Sequence, residues 1–279
     1  RTLAELSGFS LMRAAAVINI GALLAIIVLI TYNAWPALTW EFLTEPPKSM
    51  MTEGGIWPCI VGTFFLAAGA LVIALPLGVA SAVYLNEYSN SASVWTTLTR
   101  LSIANLAGVP SIVFGLFGLT FFVVFCGLGV SLLSGILTLA VLSLPIIINT
   151  TEAALQQVPQ DWREASLALG ASKRETTMKV VLPNAMPGIL TGAILALARA
   201  AGETAAIMYT GSVFFTPKDG ISPFEPVMAL PYHIYVLATS GTNIEATRPL
   251  QYGTALVLLF LVLVMSSAAI VIRERKRSR

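Results

Sequence analysis

The stretch VPQDWREASLALGASKRETTMKVVLPNAMPG, Val158–Gly188, is the most polar long segment of a chain that is otherwise mostly apolar. Its pattern is too regular for a linker. Asp161 is placed to cap a helix running from Trp162 to Leu169, because an acidic side chain at that end accepts from free backbone donors and favours the dipole. Gly170 then closes that helix as a C-terminal glycine. Ser172, with Glu175 three residues on, has the spacing of a capping box and opens a second helix that is expected to run to Pro183. The segment therefore reads as two short helices joined by a glycine hinge. On both sides it gives way to apolar runs, 130–150 before it and 188–211 after it.

Those runs set the rule for the rest of the chain. A transmembrane helix needs about 20 mostly apolar residues, because lipid offers no partner for an unpaired backbone group. Six stretches qualify: 14–35, 58–83, 101–126, 130–150, 188–211 and 251–272. Of the 279 residues 56% are hydrophobic and only 11% charged, with a mean hydropathy of +0.82, against about 25% charged in soluble domains. The chain reads as an all-α polytopic membrane protein with one transmembrane domain over 1–279 and a long polar loop over 151–187. The first apolar run exceeds a signal-peptide core of about 7–15 residues and is expected to be a retained anchor. Pro76, Pro110 and Pro145 fall inside spans, as bundles tolerate, and Gly115 and Gly118 permit close helix approach. Cys59 and Cys126 lie at or within apolar runs, have no metal-ligand spacing, and are expected to be buried thiols.

With six spans both termini share a side, and the basic residues divide twelve to three. Arg1, Arg13, Arg100, Arg163, Lys173, Arg174, Lys179, Arg273, Arg275, Lys276, Arg277 and Arg279 fall on one side; Lys48, Lys218 and Arg248 fall on the other. The positive-inside rule puts both termini, the 84–100 loop and the 151–187 loop in the cytoplasm. The outer loops 36–57 and 212–250 carry the aromatic residues expected at an interface, and His233 beside Tyr232 and Tyr235 is read as interfacial.

The polar loop carries a resemblance. Glu164-Ala165-Ser166, three residues, Gly170, nine residues and Val180-Val181-Leu182-Pro183 resembles the E-A-A loop of ABC-type import permeases, with Ser166 in place of alanine and Val180 in place of isoleucine. That resemblance implies a type I ABC importer permease fold. It also implies a docking surface for an ATP-binding subunit, formed by Glu164, Ala165, Ser166 and Gly170 with Leu182 and Pro183. An amphipathic loop on the membrane surface is the alternative, opposed by the loop's mixture of charges. The chain has no Gly-x4-Gly-Lys-[Ser/Thr] segment to cradle nucleotide phosphates, so ATP and Mg would belong to a separate ATPase and this chain needs no cofactor. GGIWPCIVGT (54–63), LPLGVASAVYLNEY (75–88), LAGVPSIVFGLFGL (106–119) and LARAAGETAAIMYT (197–210) resemble the PstA family of phosphate permeases over nearly the whole chain from about residue 54. By that resemblance the chain is a non-enzymatic permease subunit of the bacterial inner membrane. Its partners would be a PstC-like permease, a PstB-like ATPase dimer, a PstS-like extracytoplasmic phosphate-binding protein and the lipid bilayer, with no nucleic acid. A PstC-type sister subunit, or a permease for sulfate or molybdate, stays open. So do a secondary transporter or channel and a scaffold that only docks an ATPase.

Within the fifth run, Arg199 and Glu203 stand four residues apart. On a continuous helix they share one face, about 6 Å apart along the axis. An arginine at the bilayer centre costs about 2.5–3.5 kcal/mol on insertion scales, and a neighbouring carboxylate offsets part of it. The guanidinium also suits oxyanions. Two readings follow: a pathway or gate for an anion, or a structural ion pair. Asn105 and Ser111 near Pro110 are neutral donors for such a path, or packing contacts.

Overall fold

The structure is a computed structural model that describes residues 3–48, 53–90, 92–216, 222–239 and 244–277. Arg1, Lys218 and Arg279, used in the charge count, lie outside the described residues. The chain divides into two compact units, Arg1–Trp57 with Val236–Val257, and Pro58–Tyr235 with Leu258–Arg279.

The first unit begins with α1 (Leu3–Ala34), mostly apolar after Arg13, followed by α2 (Trp40–Thr44) and a two-residue antiparallel pair, β1 (Pro47–Lys48) with β2 (Glu53–Gly54). Thr39 caps α2 by accepting from the Phe42 amide at 3.1 Å. Phe42 is buried and packs on Gly253 of α11 (Ile244–Arg277).

The second unit holds α3 (Trp57–Val83), α4 (Val94–Ala107), α5 (Ser111–Gly118), α6 (Leu132–Gln156), α7 (Gln160–Ala168), α8 (Lys173–Thr176), α9 (Leu182–Gly202) and most of α10 (Leu230–Thr239). Its centre is the pairing of α6 with α9. A Cβ at Gly192 would stand 2.0 Å from Thr150 Oγ1, and one at Gly188 would stand 2.5 Å from the Ala154 Cβ. Ala196 and Ala200 continue this stripe at the same spacing and are buried. Lipid supplies no hydrophobic drive between helices, so small residues that admit close van der Waals contact hold such a pair.

Among the described residues five helical stretches are long and apolar enough to cross a membrane: Phe9–Ala37, Trp57–Tyr88, Leu132–Gln156, Lys173–Gly202 and Thr247–Val271. These meet five of the expected spans. The third, expected as one run over 101–126, is instead α4 and α5 bent by 102°. Pro76 and Pro145 lie inside unbroken helices. At 108–110, however, Gly108 closes α4 and the proline pushes Val109 away from helical geometry, so the bend falls there.

The fifth span is also shifted. Its helix starts at Lys173, passes through a π turn at Thr177–Val181, and ends at Gly202. Pro183 does not stop it. The wider turn lets the chain pass a ring that lacks an N–H and clashes with the preceding turn. Beyond Gly202 the chain is irregular and closes the N-terminus of α6. The amides of Ser131, Leu132 and Leu133 donate to Thr210 O, Glu225 O and Pro223 O at 3.1, 2.8 and 2.9 Å. Leu230 N donates to Thr63 Oγ1 at 2.8 Å. Non-helical backbone at membrane depth persists only where protein or a wet cavity satisfies it.

Two smaller expectations change. Cys59 is buried but Cys126, just past the π turn that extends α5, is exposed. His233 lies on α10 and is only 4% exposed, not in an interfacial loop; burial pushes its imidazole down to about 4.

Candidate functional site

The polar hairpin is built by its own end signals. α7 begins after Pro159, two residues earlier than Asp161 suggests, and Asp161 lies in the first turn without making a side-chain cap. Its carboxylate still stands at the positive end of the helix dipole. At the other end Gly170 has φ +85°. Gly170 N donates to Leu167 O at 3.0 Å and Ala171 N to Ser166 O at 3.2 Å, the paired bonds of a Schellman ending. Ser172 and Glu175 form the capping box of α8.

This geometry leaves Glu164, Ala165 and Gly170 exposed on the hairpin's surface. Ser166 Oγ lies 2.9 Å from Thr176 Oγ1, so the residue that departs from the motif pins α7 to α8. Leu182 packs into the apolar cluster around Val181 and Ala185, and Pro183 is exposed at the start of α9. Of the six coupling candidates, then, three face outward, Ser166 ties the two helices of the hairpin together, Leu182 anchors it in the bundle, and Pro183 lies at its exit. Beside the hairpin is a cleft of about 640 Å³ lined in part by Glu87, Gln156, Gln160, Arg163, Lys173 and Thr177.

Sequence reasoning counted the basic residues here only as orientation signals. The structure gives two of them specific work. Arg163 bonds Glu87 through Nη2–Oε1 at 2.9 Å and Nε–Oε2 at 3.4 Å, while Arg100 Nε reaches Glu152 Oε1 at 3.3 Å. The available signal was the pair of carboxylates, Glu87 and Glu152, each at the polar end of an apolar run.

Arg199 lies in the last turn of α9, and Glu203 is the residue that ends it, with extended backbone at ψ 129°. The pair therefore does not share a helical face as expected, because the helix stops at Gly202. Among the described residues neither side chain forms an ion pair or hydrogen bond. What offsets the Arg199 charge is the negative end of the α9 dipole. Arg199 is exposed and Glu203 half-buried within this chain.

Asn105 is exposed on the last turn of α4, and Ser111 is half-buried at the first position of α5. α5 meets the segment after Glu203: a Cβ at Gly115 would stand 2.9 Å from Ala205 O and 3.0 Å from Ala206 Cα. The helix that follows one break thus packs on the segment that follows the other, although no hydrogen bond joins Asn105 or Ser111 to Arg199 or Glu203 among the described residues.

Comparisons with known proteins bear on this arrangement. The family described as binding-protein-dependent transport system inner membrane component matches residues 74–277. A probable ABC transporter permease protein, YqgI of Bacillus subtilis, is 36% identical over 251 residues, 86% of this chain and 85% of the relative. The phosphate transport system permease protein PstA 1 of Mycobacterium tuberculosis is 36% identical over 247 residues, 86% of this chain and 79% of the relative. Among solved structures, a bacterial ABC transporter for import of the acidic polysaccharide alginate aligns over 98% of both chains with a TM-score of 0.66 at 14% identity. The inward-facing MetNI methionine ABC transporter aligns over 80% of this chain and 94% of that one, with a TM-score of 0.60 at 24% identity. These two likenesses carry the fold.

Proposed function

The chain belongs to the family of binding-protein-dependent transport system inner membrane components, and from that premise we propose that it is the PstA-type permease subunit of an ATP-driven phosphate importer. Family membership makes it a non-enzymatic membrane subunit working with an ATPase and a substrate-binding protein. The finer assignment, to a PstB-like ATPase dimer, a PstS-like binding protein and a PstC-like sister that supplies the other half of the pathway, is ours.

The observation that carries the reading is the hairpin. A glycine at φ +85° and a capping box hold Glu164 and Ala165 outward in a fixed geometry, which is what a surface docking into an ATPase needs. The substrate class rests on relatives named for phosphate and on Arg199, the cation of the apolar helix α9. Arg199 is the group that meets the passing anion, since a guanidinium presents paired donors to an oxyanion. Glu203 opposes long residence, and Asn105 and Ser111 contribute neutral donors at the other break. In transporters with broken helices anionic groups meet half-helix N-termini, here the start of α5 at Ser111, whereas Arg199 supplies the positive charge at the negative C-terminal end of α9.

The hairpin, both termini and the 84–100 loop are cytoplasmic in this reading. A cysteine at Lys173 is then labelled by an impermeant maleimide only from the cytoplasmic face, and one at Lys48 only from outside. The functional test is uptake of labelled phosphate by proteoliposomes holding the assembled importer, with and without ATP and the binding protein. ATP-dependent phosphate uptake that excess sulfate or molybdate leaves intact supports the reading. Uptake that is independent of ATP, or that follows sulfate instead, overturns it.

A further inference from the structure

Arg163 is placed unusually for a residue on a surface hairpin: its side chain is 13% exposed, and that of its partner Glu87 only 9%. Besides the forked contact to Glu87, Arg163 Nη1 donates to Val158 O at 2.6 Å and Nη2 to Leu155 O at 2.9 Å. The Leu155 carbonyl belongs to the last turn of α6 and that of Val158 lies just past its C-cap, at the negative end of the helix, where a cation is favoured by the dipole. One guanidinium therefore joins the hairpin, the end of the fourth span and the end of the second.

The second span ends in a π turn, Tyr84–Tyr88, which contains Glu87. The irregular turn frees the Leu85 carbonyl for side-chain donors. Ser89 Oγ donates to it at 2.7 Å and Arg100 Nη2, from α4, at 3.0 Å. Arg100 also holds Glu152 of α6. Two arginines from different elements thus grip one π turn and one helix end between them. Such widened turns often mark functional positions in helices.

We propose that Arg163 is a positioning residue that carries movement of the docked hairpin to the second span through Glu87, with Arg100 holding the other side of the same turn. The proposal rests on the hairpin being the ATPase-coupling surface. The hairpin's two outer ends are fixed by covalent continuity with α6 and α9. Contact with the second span, 76 residues away in sequence, is made by this ion pair and by Lys173 Nζ over the Tyr88 ring at 5.4 Å, of which only the ion pair is directional. The fork geometry matters as well as the charge, because lysine presents one point of contact where arginine presents a plane of donors.

The test uses the complete importer in proteoliposomes with Glu87→Gln, Arg163→Lys and, as a separate probe of docking, Ala165→Trp. For each variant, phosphate uptake, ATP hydrolysis, retention of the ATPase on purification and thermal stability are measured. Glu87→Gln and Arg163→Lys are expected to keep the ATPase bound and hydrolysing while phosphate moved per ATP falls by about ten-fold, within the range seen when coupling residues are changed. The double variant is expected to be no worse than either single one, since both remove one link. An unchanged ratio of uptake to hydrolysis in both single variants overturns the proposal. So does a parallel loss of uptake and hydrolysis that tracks the amount of folded complex, which would make the pair a stability element only. Ala165→Trp separates the premise from the proposal. If it leaves docking and uptake intact, the coupling surface itself is wrong; if it abolishes them while Glu87→Gln retains the wild-type ratio, only the role of Arg163 is refuted.

Discussion

Replacing Gly170 by alanine isolates the backbone energy of the hairpin. The native φ of +85° is a left-handed geometry that costs an L-residue about 1–2 kcal/mol. No heavy atom lies within 4 Å of the position its Cβ would take, so sterics with neighbours add nothing. The bonds from Gly170 N to Leu167 O and from Ala171 N to Ser166 O remain possible in the variant. The penalty therefore appears as an easier opening of the turn, worth about a five- to thirty-fold rise in the open population. Hydrogen exchange of the amides at 170 and 171 reads that population where opening is local. Measured by mass spectrometry on the permease complex without its ATPase, exchange should rise in the order glycine, asparagine, alanine, valine, because asparagine tolerates the left-handed region and a β-branched residue does so least. Proline fixes φ near the opposite sign and removes the donor to Leu167 O, so it should leave the hairpin open and uptake lost. Wild-type exchange in the alanine variant, or faster exchange with asparagine than with valine, would refute the reasoning.

Other perturbations follow from the same contacts. Gly192→Ala drives a methyl to within 2.0 Å of Thr150 Oγ1 and should lower thermal stability by about 1–3 kcal/mol; Thr150→Ala should restore part of it, and an unchanged melting point in the single variant would count against the α6–α9 packing. Arg199→Ala should abolish phosphate uptake in an assembled complex, and because Arg199 and Glu203 are not paired, adding Glu203→Gln should recover neither uptake nor stability. Recovery in that double variant would restore the structural ion pair. His233 is held neutral, its pKa lowered from 6.5 to about 4, so the unfolded chain binds the proton more readily in that window. Stability from this group is present above pH 6.5 and lost as pH falls toward 4, by about 3 kcal/mol in all, and thermal melts of His233→Gln should lose that slope.

What the sequence disclosed was set by local signals. Gly170, Ser172 and Glu175 announce the hairpin because capping chemistry is encoded within a few residues. Spans of about 20 apolar residues are legible because lipid forbids alternatives. The break at Gly202 was not legible, since RAAGETAAIM reads as a continued apolar helix. What stops it is tertiary: the following segment closes the N-terminus of α6 through Thr210, Pro223 and Glu225. The 102° bend at Gly108–Pro110 had a local signal, but so did Pro76 and Pro145, which bend nothing so far. A proline permits a break, and packing decides whether one occurs. The ion pair between Glu87 and Arg163 joins positions too distant in sequence for any periodicity to link.

The two broken spans answer each other's physical problem. Had the fifth span continued as a helix through residue 211, every carbonyl near Arg199 would be bonded within the helix, and Glu203 would be the natural neutralising partner. Ending at Gly202 instead leaves free carbonyls and a negative dipole end beside Arg199, so the cation is held without closing on a carboxylate. That break exposes irregular backbone over 203–210, which hydrocarbon would not tolerate. α5 covers it: Gly115 admits the Ala205 carbonyl at a separation that any side chain would prevent, and Gly118 lies against Thr138 and Thr210. α5 can lie there because Pro110 turns it away from α4. A straightened third span would uncover the polar backbone after Glu203, and a continuous fifth span would remove the surface on which Gly115 rests. The segment that follows Glu203 therefore takes its position from both spans, one supplying its backbone and the other the glycine face that covers it.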